Sequence, residues 1–295
     1  MAREGGPQLE VINALSIDLE DWYHPELVRS KVGKSPPSLI AEATQPILDL
    51  LDRYGIKASF FILGEVAEKN PGLVESIFLK GHEIGSHGYS HKPLWDLDER
   101  LFLEELQRFD WIIKRILGKV KVKGFRAPTF SLDDRTQWAL KILAEMGYQY
   151  DASIFPVKLN RVYGIEGGPL HPYRISLDEI RAEDPESPLM EFPMSLVRIG
   201  KAKIPVSGGF YLRVIPLPLI HWGLRRINRQ YPFLVYFHPW EGCMKTPRLD
   251  LPLYNRLISY YGMNSALRKL ESLLRRFRFT RVDRVLHLEE AEDEV

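Results

Sequence analysis

A single cysteine, Cys243, stands in 295 residues. An internal disulfide is therefore excluded, and the composition suits a reducing compartment. Charge of one sign is also lacking: the formal net charge is +1. No global field recruits nucleic acid, and no nucleic-acid partner is expected. No run of about 18 apolar residues occurs, so no membrane-spanning helix is expected. The opening Met1-Ala2-Arg3-Glu4-Gly5-Gly6-Pro7-Gln8 shows no apolar signal segment before the first strand-like run. A cytoplasmic location is the expectation. Internal repeats, low-complexity tracts and a clear domain boundary are missing too, so residues 1–295 read as one domain. Apolar material is present in full: 45% of the chain is hydrophobic against 27% charged, which is enough for a complete core.

Three of the eight histidines, His82, His87 and His91, fall within residues 81–91. His87 and His91 are four apart, the spacing that puts two imidazoles on one side of a helical turn. Glycines at 81, 85 and 88 bend the backbone around them. Such a pair can close on one divalent ion at about 2.0–2.1 Å per nitrogen. The alternative is two polar residues on an exposed turn. A carboxylate converging on the same point from a strand end would favour the metal.

Taken in order, the chain alternates. Residues 9–17 read as a strand that ends in Asp18-Leu19-Glu20-Asp21. A helix follows over 38–54, with Gly55 as its C-cap. The apolar run 58–63 suits a strand buried on both faces. A helix opens at Asn70-Pro71 and a short strand covers 82–85. Asp96-x-x-Glu99 resembles a capping box that opens a helix to Leu117. Strands are expected over 120–126 and 148–151, with a helix capped by Ser131 and running to 147 between them. Residues 153–188, rich in Gly, Pro and charge, read as a long excursion over one mouth of a barrel. Regular structure returns at 189–193 and 202–206, with a turn at 208–211 and a helix over 214–229. The strand 233–237 delivers His238, and a helix over 262–276 and a strand over 277–282 end the ordered pattern. Alternating strands and helices with polar groups at strand ends argue a parallel sheet, and the length allows a barrel.

Five strand ends thus carry chemistry: Asp18/Glu20/Asp21, His87/His91, Arg126, Asp151 and His238. Each alone has a plainer reading, such as a helix cap, a loop salt bridge or a packed histidine. In this order they resemble the polysaccharide deacetylases of carbohydrate esterase family 4, the NodB-homology proteins. Asp18-Leu19-Glu20-Asp21 is similar to the family's paired-aspartate motif, His87-Gly88-Tyr89-Ser90-His91 to its histidine motif, and Arg126-Ala127-Pro128 to its Arg-x-Pro. Asp151 stands for its fourth-motif aspartate, and Val235-Tyr236-Phe237-His238 for its fifth motif. The motifs run from residue 10 to 240, with a C-terminal helical extension over 250–295. Asp18-Leu19-Glu20-Asp21-Trp22 and Ser207-Gly208-Gly209-Phe210-Tyr211 look most like the subfamily of bacterial exopolysaccharide loci, including exosortase-associated ones.

The resemblance implies an α/β fold, a distorted (β/α) barrel with seven strands. It implies a divalent metal, zinc first with cobalt or nickel as alternatives, held by His87, His91 and a carboxylate. That carboxylate stays open between Glu20 and Asp21: strand alternation favours Glu20, and a bulge favours Asp21. Asp18 is the implied general base, Arg126 its partner, His238 the general acid and Asp151 the residue orienting it. Tyr89, Trp22, Phe210 and Trp240 are candidates to line a sugar cleft. The implied partner is an acetylated glycan, losing N-acetyl or O-acetyl groups. Alternatives are an allantoinase-like amidohydrolase of a cyclic amide and an inactive glycan-binding barrel. Arg268, Lys269, Arg275, Arg276, Arg278, Arg281 and Arg284 form a basic region that could touch anionic lipid, or simply a solvated helix face.

Overall fold

The computed structural model describes residues 11–158 and 164–288. Residues 9 and 10 of the expected first strand, part of the expected excursion and the acidic tail lie outside them. The strands are β1 (Ile12–Leu19), β2 (Ser59–Ile62), β3 (Glu83–Ser86), β4 (Gly124–Phe125), β5 (Tyr150–Asp151), β6 (Tyr173–Arg174), β7 (Met190–Glu191), β8 (Leu196–Ile199), β9 (Ala202–Pro205), β10 (Leu234–Phe237) and β11 (Arg278–Thr280). Nine of them form one sheet in the order β10-β1-β2-β3-β4-β5-β7-β6, with β11 also paired to β1. Seven strands on this path run parallel. The count exceeds the implied seven because antiparallel β6, from the 153–188 excursion, and the C-terminal β11 join them. β8 and β9 form a separate antiparallel hairpin.

The sheet curls, and two glycines let it. The rings of Phe61 on β2 and Tyr150 on β5 lie 6.2 Å apart. In a flat sheet three strand spacings would separate them by about 14 Å. Between them β3 and β4 carry Gly85 and Gly124 on the inner face. A Cβ on Gly85 would fall 2.7 Å from the Phe61 ring, and one on Gly124 would fall 2.0 Å from the Tyr150 ring. The missing side chains are the space these two aromatics fill. Phe61, Tyr150, Phe192, Met194 and Tyr236 then meet as an inner core. The outer face packs Leu15, Ile17, Phe60, Ile62 and Val235 against the helices.

Among the described residues no ladder pairs β10 with β6 or β7. The free edge of β10 is covered piecemeal instead: Leu234 N–H donates to Ser195 Oγ at 2.8 Å and Tyr236 N–H to the Ser207 carbonyl at 3.3 Å. Gly208 bridges to Tyr236, where a Cβ would sit 2.2 Å from the Tyr236 carbonyl oxygen. At the end of the sheet where the strands begin, Glu83 accepts hydrogen bonds from Tyr150 and Ser59 and lies beside buried Asp283. Strand starts thus carry packing and strand ends carry the polar groups.

Several local expectations shift for physical reasons. The cap of helix Glu99–Leu117 is Asp98, which accepts from Leu101 N–H at 2.7 Å, rather than Asp96. The helix expected from Ser131 is only Ala139–Glu145. Ser131 and Thr136 hydroxyls bond nearby carbonyls there and offer the backbone an alternative to helix. Residues 209–214 form a helix, Gly209–Val214, where a turn was expected.

Candidate metal centre and active-site cleft

Helical spacing does not bring the two histidines together. His87 follows β3 directly, its N–H still bonded to the Ile62 carbonyl of β2. The chain then loops through Gly88 (φ 76) to His91 (φ 58), a left-handed conformation rare outside glycine. Glu105 of helix Glu99–Leu117 pins this loop, accepting from Tyr89 N–H and Ser90 N–H, each at 2.8 Å, and from the Ser90 hydroxyl at 2.6 Å. Arg29 donates to the carbonyls of Ser90 and His91. Neither Glu105 nor Arg29 stands in a motif, and only the fold makes them neighbours of the loop.

Glu20, His87 and His91 each offer a donor atom within 4.8 Å of the others, and all three are buried. His87 Nδ1 faces the Arg126 carbonyl at 2.7 Å, which leaves Nε2 for the cluster. Glu20 Oε2 lies 2.6 Å from His91 Nε2, and Trp240 Nε1–H donates to Glu20 Oε1 at 3.0 Å. Burial, opposed in part by Asp18, pushes the His87 pKa down to about 4. Burial would raise that of Glu20, but His91, His238 and His87 overcome it and hold the carboxyl well below its ordinary range. Neutral imidazole and ionised carboxylate are the states a metal requires. Two nitrogens and one carboxylate oxygen, buried together, fit zinc or a similar ion.

Of the two carboxylates left open by the sequence, Glu20 and not Asp21 lies at the cluster. Glu20 N–H bonds the Asp18 carbonyl at 2.9 Å, so the chain turns tightly after Asp18 and keeps Glu20 at the cluster. Asp21 does not join it, against the bulge argument. Its carboxylate accepts from Ser38 Oγ at 2.5 Å, from Leu39 N–H at 3.0 Å and from Trp22 N–H at 2.9 Å. It thereby ties the first turn after β1 to the start of helix Ile40–Tyr54. Asp21→Ala is expected to lower stability by about 1–3 kcal/mol through the orphaned donors while leaving bound metal stoichiometric. A melting curve and metal analysis on one preparation check both.

Asp18 is 1% exposed. Its Oδ1 accepts from Arg126 Nη1 at 2.6 Å, and its Oδ2 lies 3.7 Å from His238 Nε2. Arg126 is fully buried, a state that requires partners. It donates to Asp18, to Ser16 Oγ at 2.7 Å and to the Ala152 carbonyl at 2.9 Å, and sits over the Phe61 ring.

Asp151 does not reach His238. Its carboxylate accepts from the Ser153 hydroxyl at 2.6 Å and Ser153 N–H at 3.1 Å, and it neighbours Glu191. Burial raises both pKa values, and Asp151 pushes that of Glu191 further. Glu241 occupies the position expected of Asp151. Its Oε2 accepts from His238 Nδ1 and from His238 N–H, each at 3.2 Å. Its Oε1 accepts from buried Arg213 Nε at 2.7 Å. The His238-Pro239-Trp240-Glu241 spacing, a side chain three residues on reaching back to its N-cap, was the signal available for it. Burial alone would lower the His238 pKa, but Glu20, Glu241 and Asp18 raise it to about 9.

A cleft of about 380 Å³ opens on Asp18, Glu20, His87, His91 and His238. Of the four candidate sugar contacts, Phe210 and Trp240 line it. Trp22 is buried, its Nε1–H on the Pro37 carbonyl, and Tyr89 packs under Arg108 with its hydroxyl on Glu68. Phe130, Phe155, Tyr211 and Tyr254, not singled out from sequence, complete the apolar wall. His24 is a second unexpected neighbour, its ring 5.8 Å from that of His91. Its Nδ1 accepts from Asp21 N–H, so Nε2 carries the proton shared with Glu65 at 2.7 Å.

With this geometry in hand, the chain compares as follows. Residues 34–150 match the polysaccharide deacetylase family. Residues 152–287 match a second family, described as a domain of unknown function, DUF3473. The two matched segments share one sheet and one cleft: His87, His91 and Arg126 lie in the first, and Phe210, His238, Trp240 and Glu241 in the second. Over 99 residues the chain is 38% identical to the peptidoglycan-N-acetylglucosamine deacetylase of Bacillus cereus, covering 33% of this chain and 36% of that protein. Over 104 residues it is 33% identical to chitin deacetylase 1 of Cryptococcus neoformans, covering 35% of this chain and 21% of that protein. It thus spans about a third or less of the length of these relatives. Among solved structures, the PuuE allantoinase superposes with a TM-score of 0.58 at 16% identity, over 94% of this chain and 89% of that one. A proposed polysaccharide deacetylase from Mycobacterium smegmatis gives 0.53 at 18% identity, over 95% and 90%. At these identities the structures speak for the fold: an α/β protein with a curled sheet of the NodB type.

Proposed function

We propose that the chain is a metal-dependent hydrolase that removes acetyl groups from an acetylated amino-sugar polymer. The observation that carries this is the convergence, at one cleft, of the Glu20–His87–His91 cluster with the Asp18–Arg126 pair and His238. The deacetylase match over residues 34–150 and the names of the relatives support it. The finer reading, a bacterial exopolysaccharide acted on in a reducing compartment, rests on the resemblance of the segments at Asp18–Trp22 and Ser207–Tyr211 and on the lone cysteine.

Glu20, His87 and His91 would hold zinc, with cobalt or nickel as alternatives. When bound, the ion supplies Lewis-acid polarisation of the acetyl carbonyl and a lowered pKa for the attacking water, from 15.7 to about 7. Asp18 accepts the proton of that water as it attacks. Arg126 fixes Oδ1 through its Nη1 at 2.6 Å, leaving Oδ2 toward His238 and the cleft. His238 gives its Nε2 proton to the departing amine nitrogen as the carbon–nitrogen bond breaks, leaving acetate and a free amino sugar. Glu241 holds His238 through Nδ1 so that Nε2 faces Asp18 and Glu20. Phe210 and Trp240 offer ring faces to the sugar.

Acetate release by the purified chain with added zinc tests the reading, with N-acetylglucosamine oligomers as one substrate and allantoin as the other. Acetate from the oligomers is expected. Allantoin turnover without acetate release would replace the reading with a cyclic amidohydrolase. His87→Ala and His91→Ala are each expected to lose bound metal and acetate release together while the melting curve remains cooperative. Full metal occupancy in either variant would overturn the assignment of the site.

A further inference from the structure

Residues 192–240 contain no Asp or Glu and seven Lys or Arg. Across 192–288 the count is seventeen basic residues against four acidic, in a chain whose net charge is +1. The positive charge is therefore segregated to the second half, and the fold gathers part of it on one face. Helix Leu217–Ile227 buries Ile220, Leu224 and Ile227 and turns Leu219, Trp222, Arg225 and Arg226 outward. Leu219 is 56% exposed and Trp222 47%. They are three residues apart, hence side by side on the helix surface. A surface groove of about 420 Å³ runs beside them, lined by Trp222, Arg225, Arg226, Arg229 and Arg276 among others.

Those four arginines have no carboxylate partner among the described residues. Neighbouring Arg275 and Arg281 do, in Glu271 and Asp283. Much of the basic C-terminal region singled out from sequence is thus occupied internally: Lys269 also donates to the carbonyls of Arg213 and Ile215. Arg276 faces the groove. Arg226 Nε donates to the Arg198 carbonyl and ties the helix to the β8–β9 hairpin, whose Ile199 is also exposed. Burial first, then the positive charges of Arg276 and Arg225, lower the pKa of His221 in the groove.

We propose that this face docks on an anionic lipid bilayer. Guanidinium groups without a carboxylate partner bind lipid phosphates, each contributing about 1 kcal/mol near an anionic surface. Trp222 is amphipathic and suits the headgroup level, while Leu219 and Ile199 can enter the acyl boundary. A nucleic acid or a soluble polyanion would use the arginines but gain nothing from exposed leucine and isoleucine. Two residues separate this helix from helix Gly209–Val214, which carries Phe210 and Tyr211 of the cleft wall. Docking would therefore hold the cleft close to the membrane surface.

The test is co-sedimentation of the full chain with vesicles of phosphatidylcholine alone, and of phosphatidylcholine with one third phosphatidylglycerol. Binding to the anionic vesicles only, weakening as salt is raised, is expected. The triple variant Arg225→Gln, Arg226→Gln, Arg229→Gln is expected to lose on the order of a hundredfold in partitioning. Leu219→Ser with Trp222→Ala is expected to lose binding several-fold. Both variants should release acetate from soluble oligomers at the wild-type rate, because neither touches the cleft. If the triple variant fails to fold by circular dichroism, Arg225→Gln with Arg229→Gln replaces it, with about a twentyfold loss expected. Equal binding to neutral and anionic vesicles, no binding to either, or wild-type binding by the arginine variant overturns the proposal. Undiminished binding by the Leu219/Trp222 variant overturns it as well, in favour of a general polyanion site.

Discussion

Asp18→Asn is expected to retain its metal and lose about 10²–10⁴-fold in kcat. The carboxylate lies outside the Glu20–His87–His91 cluster and is held by Arg126 Nη1 at 2.6 Å, so the substitution removes no metal ligand. An amide of the same shape can still accept from Arg126, which is why the loss should be catalytic rather than structural. It cannot accept a proton from water. Its effect should fall on kcat more than on KM, because the proton transfer occurs in the transition state and not in substrate binding. Metal analysis and steady-state kinetics on the same protein decide the matter. An emptied metal site in Asp18→Asn would mean that Asp18 and Glu20 have exchanged roles, with Glu20 as base and Asp18 as ligand.

The strand ends were legible because apolar runs finish abruptly in polar residues, at Asp18, Arg126 and His238 alike. Their convergence followed from the family resemblance and not from the pattern itself, since it depends on a curl that Gly85 and Gly124 permit through side chains they lack. The same limit explains Asp21. From sequence it is one acid in a short acidic run; only the approach of Ser38 and Leu39, seventeen and eighteen residues on, makes it a helix-start anchor. Asp151 does not meet its expected partner, for a related reason. It sits at a strand end as expected, but Ser153 and Glu191 claim its carboxylate before it can reach across the barrel. Tyr89 and Trp22 flank motif residues, yet adjacency in sequence says little about facing: the His87–His91 loop turns Tyr89 toward Arg108, and the bend after Asp21 turns Trp22 toward Pro37. The cleft wall draws on residues 209–213, where the sequence marks Phe210 as a sugar contact, and on residues 254–259, where no motif marks the chain.

Glu241→Gln is expected to cost about a hundredfold on the acetylated oligomer and little on an aryl acetate. Glu241 accepts from both Arg213 and His238, each a donor, through its two oxygens. Glutamine offers one oxygen and an amide N–H₂, so either Arg213 or His238 then faces a donor. Arg213 is held by further bonds to the carbonyls of Ile258, Ser259 and Tyr261. His238 is held less firmly and should be the one released. An amine leaves an amide only when protonated, so the oligomer depends on a correctly aimed His238. An aryl oxide departs without that proton, so an aryl acetate bypasses the acid and reports on Asp18 and the metal cluster alone. The pH profile adds a second readout. Glu241 is one of the carboxylates that raise the His238 pKa. Removing its charge lowers that pKa, and since the acid works protonated, the alkaline fall in oligomer activity should move to lower pH. Equal losses on both substrates, with an unmoved alkaline limb, would place Glu241 in the support of the cleft wall through Arg213 rather than in the service of His238.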